Sequence, residues 1–223
     1  MDIRQATPAE YGTIGELTVR EYVGEGHVRA ESPYVEVLRD AAARAREATL
    51  LVAVEGGVLL GAVAFAAGGG AYANVAAPGE AEFRTLVVAG QARRRGVGTA
   101  LVRECVRLAR EAGAPVLRLS TGPTMVDAQR IYDRLGFVRT PDRDWSPNPD
   151  YPNSGNLLLT YELPLAYCDR CGNPVTDGTH APCHAARDLE PPRWCTHCRR
   201  RMVVQITPTG WTARCVEHGE LVG

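Results

Sequence analysis

The sequence predicts an α+β domain over residues 1–164, followed by a small Cys/His metal-binding domain of the zinc-ribbon kind over residues 165–223, here called the tail. In the first part, short apolar runs typical of strands alternate with amphipathic helical segments. In the second, cysteine and histidine are concentrated: six of the seven cysteines and four of the five histidines follow residue 166. A length of 223 residues fits one ordinary domain plus a small one.

The first elements form a strand, two helices and a hairpin. A strand is predicted at residues 3–6, and the capping-box pattern Thr7-Pro8-Ala9-Glu10 begins a helix. A second helix is predicted over residues 34–48, and the polar turn between the helices contains His27. Apolar strands at 50–54 and 58–65 are joined by Glu55-Gly56-Gly57, which predicts a hairpin. The sheet therefore begins antiparallel.

Strands and helices alternate through the rest of the first domain. Gly113 and Gly136 follow helical patterns and predict where those helices end, and Thr124 is the expected cap of the second. The elements in order are a strand at 81–88, a helix at 98–112, a strand at 116–120, a helix from 124, and strands at 137–139 and 157–163.

Composition excludes several partners. A net charge of −1 gives no positive electrostatic field that would attract nucleic acid or anionic lipid. The uncharged run at 56–79 contains Asn74 and many glycines, so two strands and a loop explain it better than a membrane span. Met1-Asp2-Ile3-Arg4 lacks a signal-peptide layout, and we expect a cytoplasmic protein. The sequence is compatible with a homodimer.

A basic glycine turn lies between a strand end and a helix start, at Arg93-Arg94-Arg95-Gly96-Val97-Gly98. Free amide groups and the positive dipole end of a helix attract phosphate, and glycines let the backbone come close. The turn therefore predicts a pyrophosphate site. The alternative is a solvated basic turn with a glycine cap.

The pattern Arg-x-x-Gly-x-Gly after the strand Leu86-Val87-Val88 resembles the acetyl-CoA motif of GNAT N-acetyltransferases. A second stretch at 128–137, Ala-Gln-Arg-Ile-Tyr-Asp-Arg-Leu-Gly-Phe, resembles the second signature of that family. The resemblance covers residues 2–163 and implies a three-layer fold. It also implies a mixed sheet that splays into a V between the strand ending at Val88 and the strand at 116–120, with pantetheine in the split.

The resemblance also implies direct acetyl transfer from acetyl-CoA to an amine. Tyr132 falls at the position of the general acid, although it also lies on an apolar helix face and could merely pack. Glu80 and Glu82 share a strand face; Glu82 is the preferred general base, and a solvent-facing strand edge is the alternative. The residues expected to hold acetyl-CoA are Leu86, Val87, Val88, Arg93, Arg94, Arg95, Gly96, Val97, Gly98 and Thr99.

Two hypotheses remain open for this domain. Met125 stands where the family often has Asn, which weakens one expected contact to pantetheine. The first hypothesis is an N-acetyltransferase, and the second is a CoA-binding platform without catalysis. Residues 22–34 and 142–147, including His27 and Trp145, are expected to flank the acceptor mouth, but they do not identify the amine.

The tail contains four ligand pairs, each with two intervening residues. Such pairs bind a tetrahedral ion, and two pairs complete a Cys3His shell. Pairing between the halves and substitution of His184 for His180 are both open. The tail has few large apolar residues, so bound metal would supply folding energy, and a reducing cytoplasm favours metal over disulfides. The expected ligands are Cys168, Cys171, His180 and Cys183, then Cys195, Cys198, Cys215 and His218.

The tail also resembles the small biotin synthase auxiliary protein of actinobacteria, over about residues 167–219. The matching stretches are Pro-Pro-Arg-Trp-Cys at 191–195, Arg-Arg-Met-Val-Val-Gln at 200–205 and Thr-Pro-Thr-Gly-Trp-Thr-Ala-Arg-Cys at 207–215. The resemblance implies biotin synthase as a partner and makes an iron–sulfur cluster a rival to zinc. The alternative is a generic zinc-ribbon adaptor in which the arginines at 199–201 contact nucleic acid, although three arginines more often form a solvated surface.

Overall fold

The computed structural model describes residues 1–147, 157–187 and 190–223. The chain divides into two compact units. The first unit comprises Met1–Ala112 with Leu117–Leu163, and the second comprises Gly113–Val116 with Pro164–Gly223. Within the described ranges, no helix has both the length and the apolar character needed to cross a bilayer.

The first unit is built on a seven-stranded sheet in the order β1-β2-β3-β4-β5-β7-β6. The strands are β1 (Asp2–Gln5), β2 (Thr49–Glu55), β3 (Val58–Ala67), β4 (Ala81–Val88), β5 (Val116–Thr121), β6 (Val138–Arg139) and β7 (Leu159–Pro164). The helices are α1 (Tyr11–Gly24), α2 (Tyr34–Arg39), α3 (Ala41–Glu47), α4 (Val97–Glu111) and α5 (Val126–Arg134).

The sheet is mixed, as predicted. Strands β1 to β4 pair antiparallel, and β4 then pairs with β5 in parallel. The parallel register joins Ala81 to Leu117 and Glu82 to Arg118, at the start of both strands. Strand β4 continues to Val88 beyond these pairs, so the two strands separate towards their carboxyl ends. This separation is the V-shaped split that the sequence comparison with GNAT enzymes implied.

A bulge in β4 marks the start of the split. The β3–β4 register shifts between Ala62 and Ala64, and Thr85 takes a left-handed φ of 55°. A threonine in this conformation is uncommon because its branched side chain crowds the backbone. The extra residue redirects the amides and carbonyls that follow, at Leu86 and beyond, away from regular pairing.

Most predicted helix ends are confirmed, but two details are wrong. Gly113 and Gly136 take left-handed φ values of 70° and 86° and end their helices. The predicted helix at 34–48 is two helices, because Asp40 leaves the helical region and its carboxylate accepts the amide of Ala43 at 2.7 Å, which caps α3. Thr124 does not cap α5: Met125 is the cap residue, and it makes no side-chain hydrogen bond there.

The buried side of α4 is apolar. Leu101, Val102, Cys105 and Ala109 are buried against the sheet. Cys105 is a core residue, and burial raises the pKa of its thiol. Ala112, which the sequence places at the end of this helix, lies one residue beyond it and is exposed.

The second unit contains a three-stranded antiparallel sheet and one short helix. The strands β8 (Val203–Thr207), β9 (Gly210–Cys215) and β10 (Gly219–Val222) are ordered β10-β9-β8, and the helix is α6 (Ala181–Arg187). A small core joins Cys195, Met202, Ala213 and Cys215, with Trp211 packed against it. Two members of this core are predicted metal ligands, so packing of apolar side chains contributes little to the stability of this unit.

Candidate functional site

A cleft of about 1180 Å³ opens beside the split in the sheet. Its walls come from the end of β4, the glycine turn, the start of α4, helix α5 and the carboxyl end of α1. Nine of the ten predicted cofactor residues lie along it: Leu86, Val87, Val88, Arg93, Arg94, Gly96, Val97, Gly98 and Thr99. The tenth, Arg95, is not among the described lining residues and pairs with Glu55 instead.

The glycine turn contains two residues with left-handed backbone conformation. Arg94 and Gly96 have φ values of 58° and 82°, and Gly96 is the cap of α4. The backbone amides in the first turn of a helix have no acceptor within the helix. In α4, the residues of this first turn line the cleft. A Cβ on Gly98 would lie 2.9 Å from Ile131 Cδ1, so helix α5 approaches the start of α4 closely here.

The three arginines of the turn have different environments. Arg93 Nη2 lies 2.7 Å from Glu21 Oε2, and its Nη1 pairs with Glu25. Arg95 is held by Glu55. Arg94 is exposed and lines the cleft. Position in the sequence did not distinguish them, because the partners of Arg93 and Arg95 come from distant segments.

Tyr132 belongs to an aromatic cluster on the inner face of α5. Its ring centroid lies 5.8 Å from that of Phe83 and 5.9 Å from those of Phe137 and Tyr161. Burial raises the pKa of its phenol above the ordinary value, so the hydroxyl keeps its proton at neutral pH. Tyr132 is not among the described residues that line the cleft, and its role as the acid stays a prediction.

Glu82 has a structural environment that the sequence did not suggest. Its side chain is fully buried, so the alternative of a solvent-facing edge is wrong. Its Oε2 accepts the amides of Asn74, Val75 and Ala76 at 2.8, 2.8 and 3.1 Å, and Oε1 has no hydrogen-bond partner among the described residues. The carboxylate thus anchors the segment before β4. Its assignment as the base stays a prediction.

Glu80, the other base candidate, is held in an ion pair. Burial tends to raise the pKa of its carboxyl, but hydrogen bonds from Arg118 and from the amide of Ala77 outweigh this effect and lower it. Arg118 Nε lies 2.7 Å from Glu80 Oε2, and Arg118 also pairs with Glu162. The Glu80 carboxylate is therefore ionised, and its ion pair with Arg118 has a structural role.

Three residues of the predicted acceptor mouth line the cleft: Tyr22, Glu25 and His27. The Tyr22 hydroxyl donates to the carbonyl of Leu86 at 3.4 Å, and burial raises the pKa of this phenol. His27 packs edge-on against Tyr22, with ring centroids 6.2 Å apart. The segment at 142–147 is not part of the described lining: Asp144 Oδ1 instead accepts the amide of Thr160 at 2.8 Å.

The tail ligands gather into two groups, each within one half of the tail. One contains Cys168, Cys171, His180 and Cys183, and the other contains Cys195, Cys198, Cys215 and His218. In each group the four ligand atoms all lie within 4.8 Å of one another. The pairing left open by the sequence is therefore within halves, and His180 rather than His184 belongs to the first group.

The distances suit a tetrahedral ion. Cys198 Sγ lies 3.7 Å from Cys215 Sγ, and His218 Nδ1 lies 3.5 Å from Cys195 Sγ. Zinc with sulfur ligands at about 2.3 Å gives sulfur–sulfur edges of about 3.8 Å. His180 Nε2 lies 3.1 Å from the carbonyl of Pro174, which leaves its Nδ1 directed at Cys171 Sγ, 3.6 Å away.

Backbone amides favour thiolates at one cysteine of each group. Burial opposes ionisation of Cys168, but hydrogen bonds from the amides of Cys171 and Arg170 lower the pKa of its thiol to about 7. The amides of Glu217 and His218 act similarly on Cys215 and lower its pKa to about 6. Both groups therefore have the chemistry of metal ligands.

Comparison with known families agrees with this geometry. The model of the acetyltransferase (GNAT) family matches residues 13–137, more than half of the chain. The chain belongs to the GNAT acetyltransferase family. The model of the biotin synthase auxiliary protein family matches residues 202–222.

Solved GNAT structures share the fold of the first unit. A GNAT-family acetyltransferase of Staphylococcus aureus is 14% identical with a TM-score of 0.58, covering 74% of this chain and 98% of that one. A protein of Salmonella typhimurium solved with its cofactor acetyl-CoA is 21% identical, with a TM-score of 0.55 and coverage of 74% and 94%. A GCN5-related N-acetyltransferase of Kribbella flavida is 26% identical, with a TM-score of 0.55 and coverage of 74% and 97%.

The tail has curated relatives in mycobacteria. The biotin synthase auxiliary protein of Mycobacterium tuberculosis is 56% identical over 43 residues, which is 19% of this chain and 54% of that protein. The Mycobacterium leprae protein of the same name is 52% identical over 44 residues, 20% of this chain and 55% of that protein. The chain spans about half the length of these relatives.

Proposed function

We propose that this GNAT enzyme transfers the acetyl group of acetyl-CoA to an amine by direct attack. The observation that carries the proposal is the cleft, where the splayed ends of β4 and β5, the bulge at Thr85 and the left-handed turn at Gly96 occur together. The relative from Salmonella typhimurium, solved with acetyl-CoA on the same fold, supports the choice of cofactor.

Acetyl-CoA supplies an activated thioester. In the proposed mechanism, the backbone of Leu86, Val87 and Val88 binds the pantetheine arm, and an amide there polarises the acetyl carbonyl. The amides from Arg94 to Thr99 bind the pyrophosphate at the start of α4, with Arg94 adding charge. Tyr132, whose phenol is protonated at neutral pH, donates a proton to the departing sulfur.

Binding and turnover together test this proposal. We expect calorimetry to show micromolar affinity for acetyl-CoA, and a panel of primary amines to release CoA thiol only with particular acceptors. Gly98→Val should abolish binding, because the added side chain would meet Ile131 across the cleft. Gly12→Val, at an open position on α1, is the matched control. Tight binding of acetyl-CoA without acetyl transfer to any amine would overturn the enzymatic hypothesis and favour a CoA-binding platform without catalysis.

For the tail, we propose two zinc ions, each held by three cysteines and one histidine, and a role as an auxiliary to biotin synthase. The donor sets and their distances support zinc. The identity with mycobacterial auxiliary proteins supports the biotin synthase partner. Histidine-containing shells of this kind are typical of structural zinc, whereas most iron–sulfur clusters use cysteine alone.

Metal analysis and spectroscopy of anaerobically purified protein test the tail proposal. We expect a colourless protein with about two zinc ions per chain, and visible absorption from an iron–sulfur cluster would overturn zinc. Cys195→Ser should lower the content to about one ion, whereas Cys105→Ala, the buried cysteine of α4, should keep both. The partner role fails if adding the protein leaves purified biotin synthase with unchanged turnover.

A further inference from the structure

The bulge in β4 lies at a residue that does not favour its conformation. Thr85 has a left-handed φ of 55°, which its branched side chain disfavours. Glycine or asparagine would adopt this backbone more readily. Such a conformation persists only where the surrounding structure holds it, and such residues cluster at functional sites. The contacts of Thr85 therefore decide whether the bulge keeps its shape.

A tyrosine hydroxyl contacts the side chain of Thr85 directly. The Tyr72 hydroxyl lies 2.9 Å from Thr85 Oγ1, which is hydrogen-bond distance whichever group donates. Burial raises the pKa of the Tyr72 phenol, so this hydroxyl is protonated at neutral pH. Among the described residues, Thr85 Oγ1 has no other hydrogen-bond partner. The bond to Tyr72 therefore fixes the rotamer of Thr85.

Tyr72 is itself held against the bulge by Arg84. Arg84 Nη1 donates to the carbonyl of Tyr72 at 2.6 Å, and the guanidinium lies 4.5 Å from the centroid of the Tyr72 ring. Arg84 Nε lies 3.8 Å from Glu82 Oε1, and Glu82 Oε2 accepts the amides of Asn74 and of the two residues that follow it. The loop that contains Tyr72 is thus tied to β4 at several points.

The peptide group after Thr85 is the first of those proposed to bind the arm of acetyl-CoA. Leu86 lines the cleft, and its carbonyl accepts the Tyr22 hydroxyl at 3.4 Å. Two tyrosine contacts therefore flank this peptide group, one to the Thr85 side chain and one to the Leu86 carbonyl. Because φ and ψ are the soft torsions of the backbone, a change at Thr85 would rotate the peptide and redirect the amide of Leu86.

From these contacts, and resting on the proposed acetyl transfer, we propose that Tyr72 is a positioning residue for the reaction. Its hydroxyl holds the left-handed bulge at Thr85, and the bulge presents the backbone that polarises the acetyl carbonyl. Tyr72 is not among the described residues that line the cleft, so it acts through Thr85. Stabilisation by a backbone amide requires that its direction is fixed before the reaction. Loss of the hydroxyl should therefore slow acetyl transfer more than it weakens cofactor binding.

Tyr72→Phe removes the hydroxyl and keeps the ring that packs against Arg84. We expect kcat for the best amine of the panel to fall about 10- to 30-fold, because a misdirected donor loses part of the roughly 100- to 1000-fold effect of an oxyanion-hole hydrogen bond. The Kd for CoA should stay within about twofold, since the glycine turn is unchanged. Tyr11→Phe, at the start of α1, is the matched control and should change neither constant.

Variants of Thr85 show whether the two hydroxyls act as one unit. Thr85→Val keeps the branched shape without the hydroxyl and should reproduce the loss of kcat. The double variant with Tyr72→Phe should be no slower than either single variant, because both remove the same bond. Thr85→Ser keeps the hydroxyl and should retain most of the wild-type kcat. Additive losses in the double variant, or wild-type activity in Thr85→Val, would overturn the proposed coupling.

Infrared spectroscopy tests the positioning without turnover. Acetyl-CoA that is isotopically labelled at the acetyl carbonyl reports how strongly the bound thioester is polarised. The wild type should lower the carbonyl stretching frequency relative to free acetyl-CoA, and Tyr72→Phe should return it towards the free value while still binding. An unchanged frequency or an unchanged kcat in Tyr72→Phe would overturn the role of Tyr72 alone. Absence of acetyl transfer in the wild type would overturn the proposed function and this inference with it.

Discussion

Glu82 and Tyr132 occupy opposite environments at the residue scale. The Glu82 carboxylate is buried among the backbone amides of the segment before β4, whereas the Tyr132 phenol is buried among aromatic rings. Each was predicted to be catalytic from its position in the sequence. The structure gives each a packing role as well, so stability and activity must be measured separately for both.

Glu82→Ala is expected to lower the free energy of unfolding by about 2–4 kcal/mol, because buried amides that lose their acceptor cost about 1–3 kcal/mol each and water can replace some of the bonds. Urea unfolding at pH 7 measures the change. Glu82→Gln keeps an acceptor oxygen and should lose less. A Glu82→Gln enzyme that is stable, binds acetyl-CoA and does not turn over would instead identify Glu82 as the base.

Tyr132→Phe is expected to lower kcat about 100-fold while the KM for acetyl-CoA changes little, because only the proton for the departing sulfur is lost. Steady-state assays of thiol release measure both constants. Tyr161→Phe removes a hydroxyl from the same aromatic cluster and should leave kcat unchanged. Equal effects of the two substitutions would show that the cluster merely supports α5.

At the scale of elements, the cleft depends on backbone conformations that few residues adopt. The bulge at Thr85, within β4, and the turn at Gly96, directly before α4, both use left-handed φ. The sequence predicted the turn from its glycines. The bulge lies at a threonine, which gives no such signal.

Gly96→Ala is expected to weaken acetyl-CoA binding about three- to tenfold, since a left-handed φ costs an L-residue about 1–2 kcal/mol and relaxation would misplace the amides. Calorimetry measures the affinity. Gly12→Ala is the matched control because Gly12 lies in α1 with open space around it, so binding should be unchanged and stability slightly higher. Unchanged binding in Gly96→Ala would remove the turn from the proposed phosphate site.

For the whole molecule, the two units differ in what stabilises them. The first has a large apolar core around β2, β3 and α4, whereas the core cluster of the second consists of four buried residues, two of which are predicted metal ligands. A unit of this size without metal is marginal. We therefore expect metal binding there to be coupled to folding.

Removal of metal by a strong chelator is expected to unfold the second unit and leave acetyl-CoA binding by the first within about twofold. The emission of Trp194 and Trp211 should shift to longer wavelength, and calorimetry should follow the cofactor. Re-addition of zinc should reverse the shift. Loss of acetyl-CoA binding on chelation would contradict this independence.

The sequence by itself determined the features that arise from local chemistry. Hydrophobic periodicity placed the strands and most helices, glycines placed the helix ends and the left-handed turn at Gly96, and residue spacing identified the Cys/His groups that the structure brings together. The same locality explains its errors: the helix predicted at 34–48 is broken at Asp40, where capping by one side chain outweighs the periodicity.

Tertiary structure alone decided what distant segments do to each other. It separated Arg94 from Arg93 and Arg95, whose partners lie some 40 to 72 residues away. It also placed three backbone amides around the Glu82 carboxylate. It grouped the predicted metal ligands within each half of the tail. It placed His27 beside Thr124, which is 97 positions away in the chain. The physical reason is that charge pairing, burial and lone-pair direction depend on neighbours in space, which spacing along the sequence does not specify.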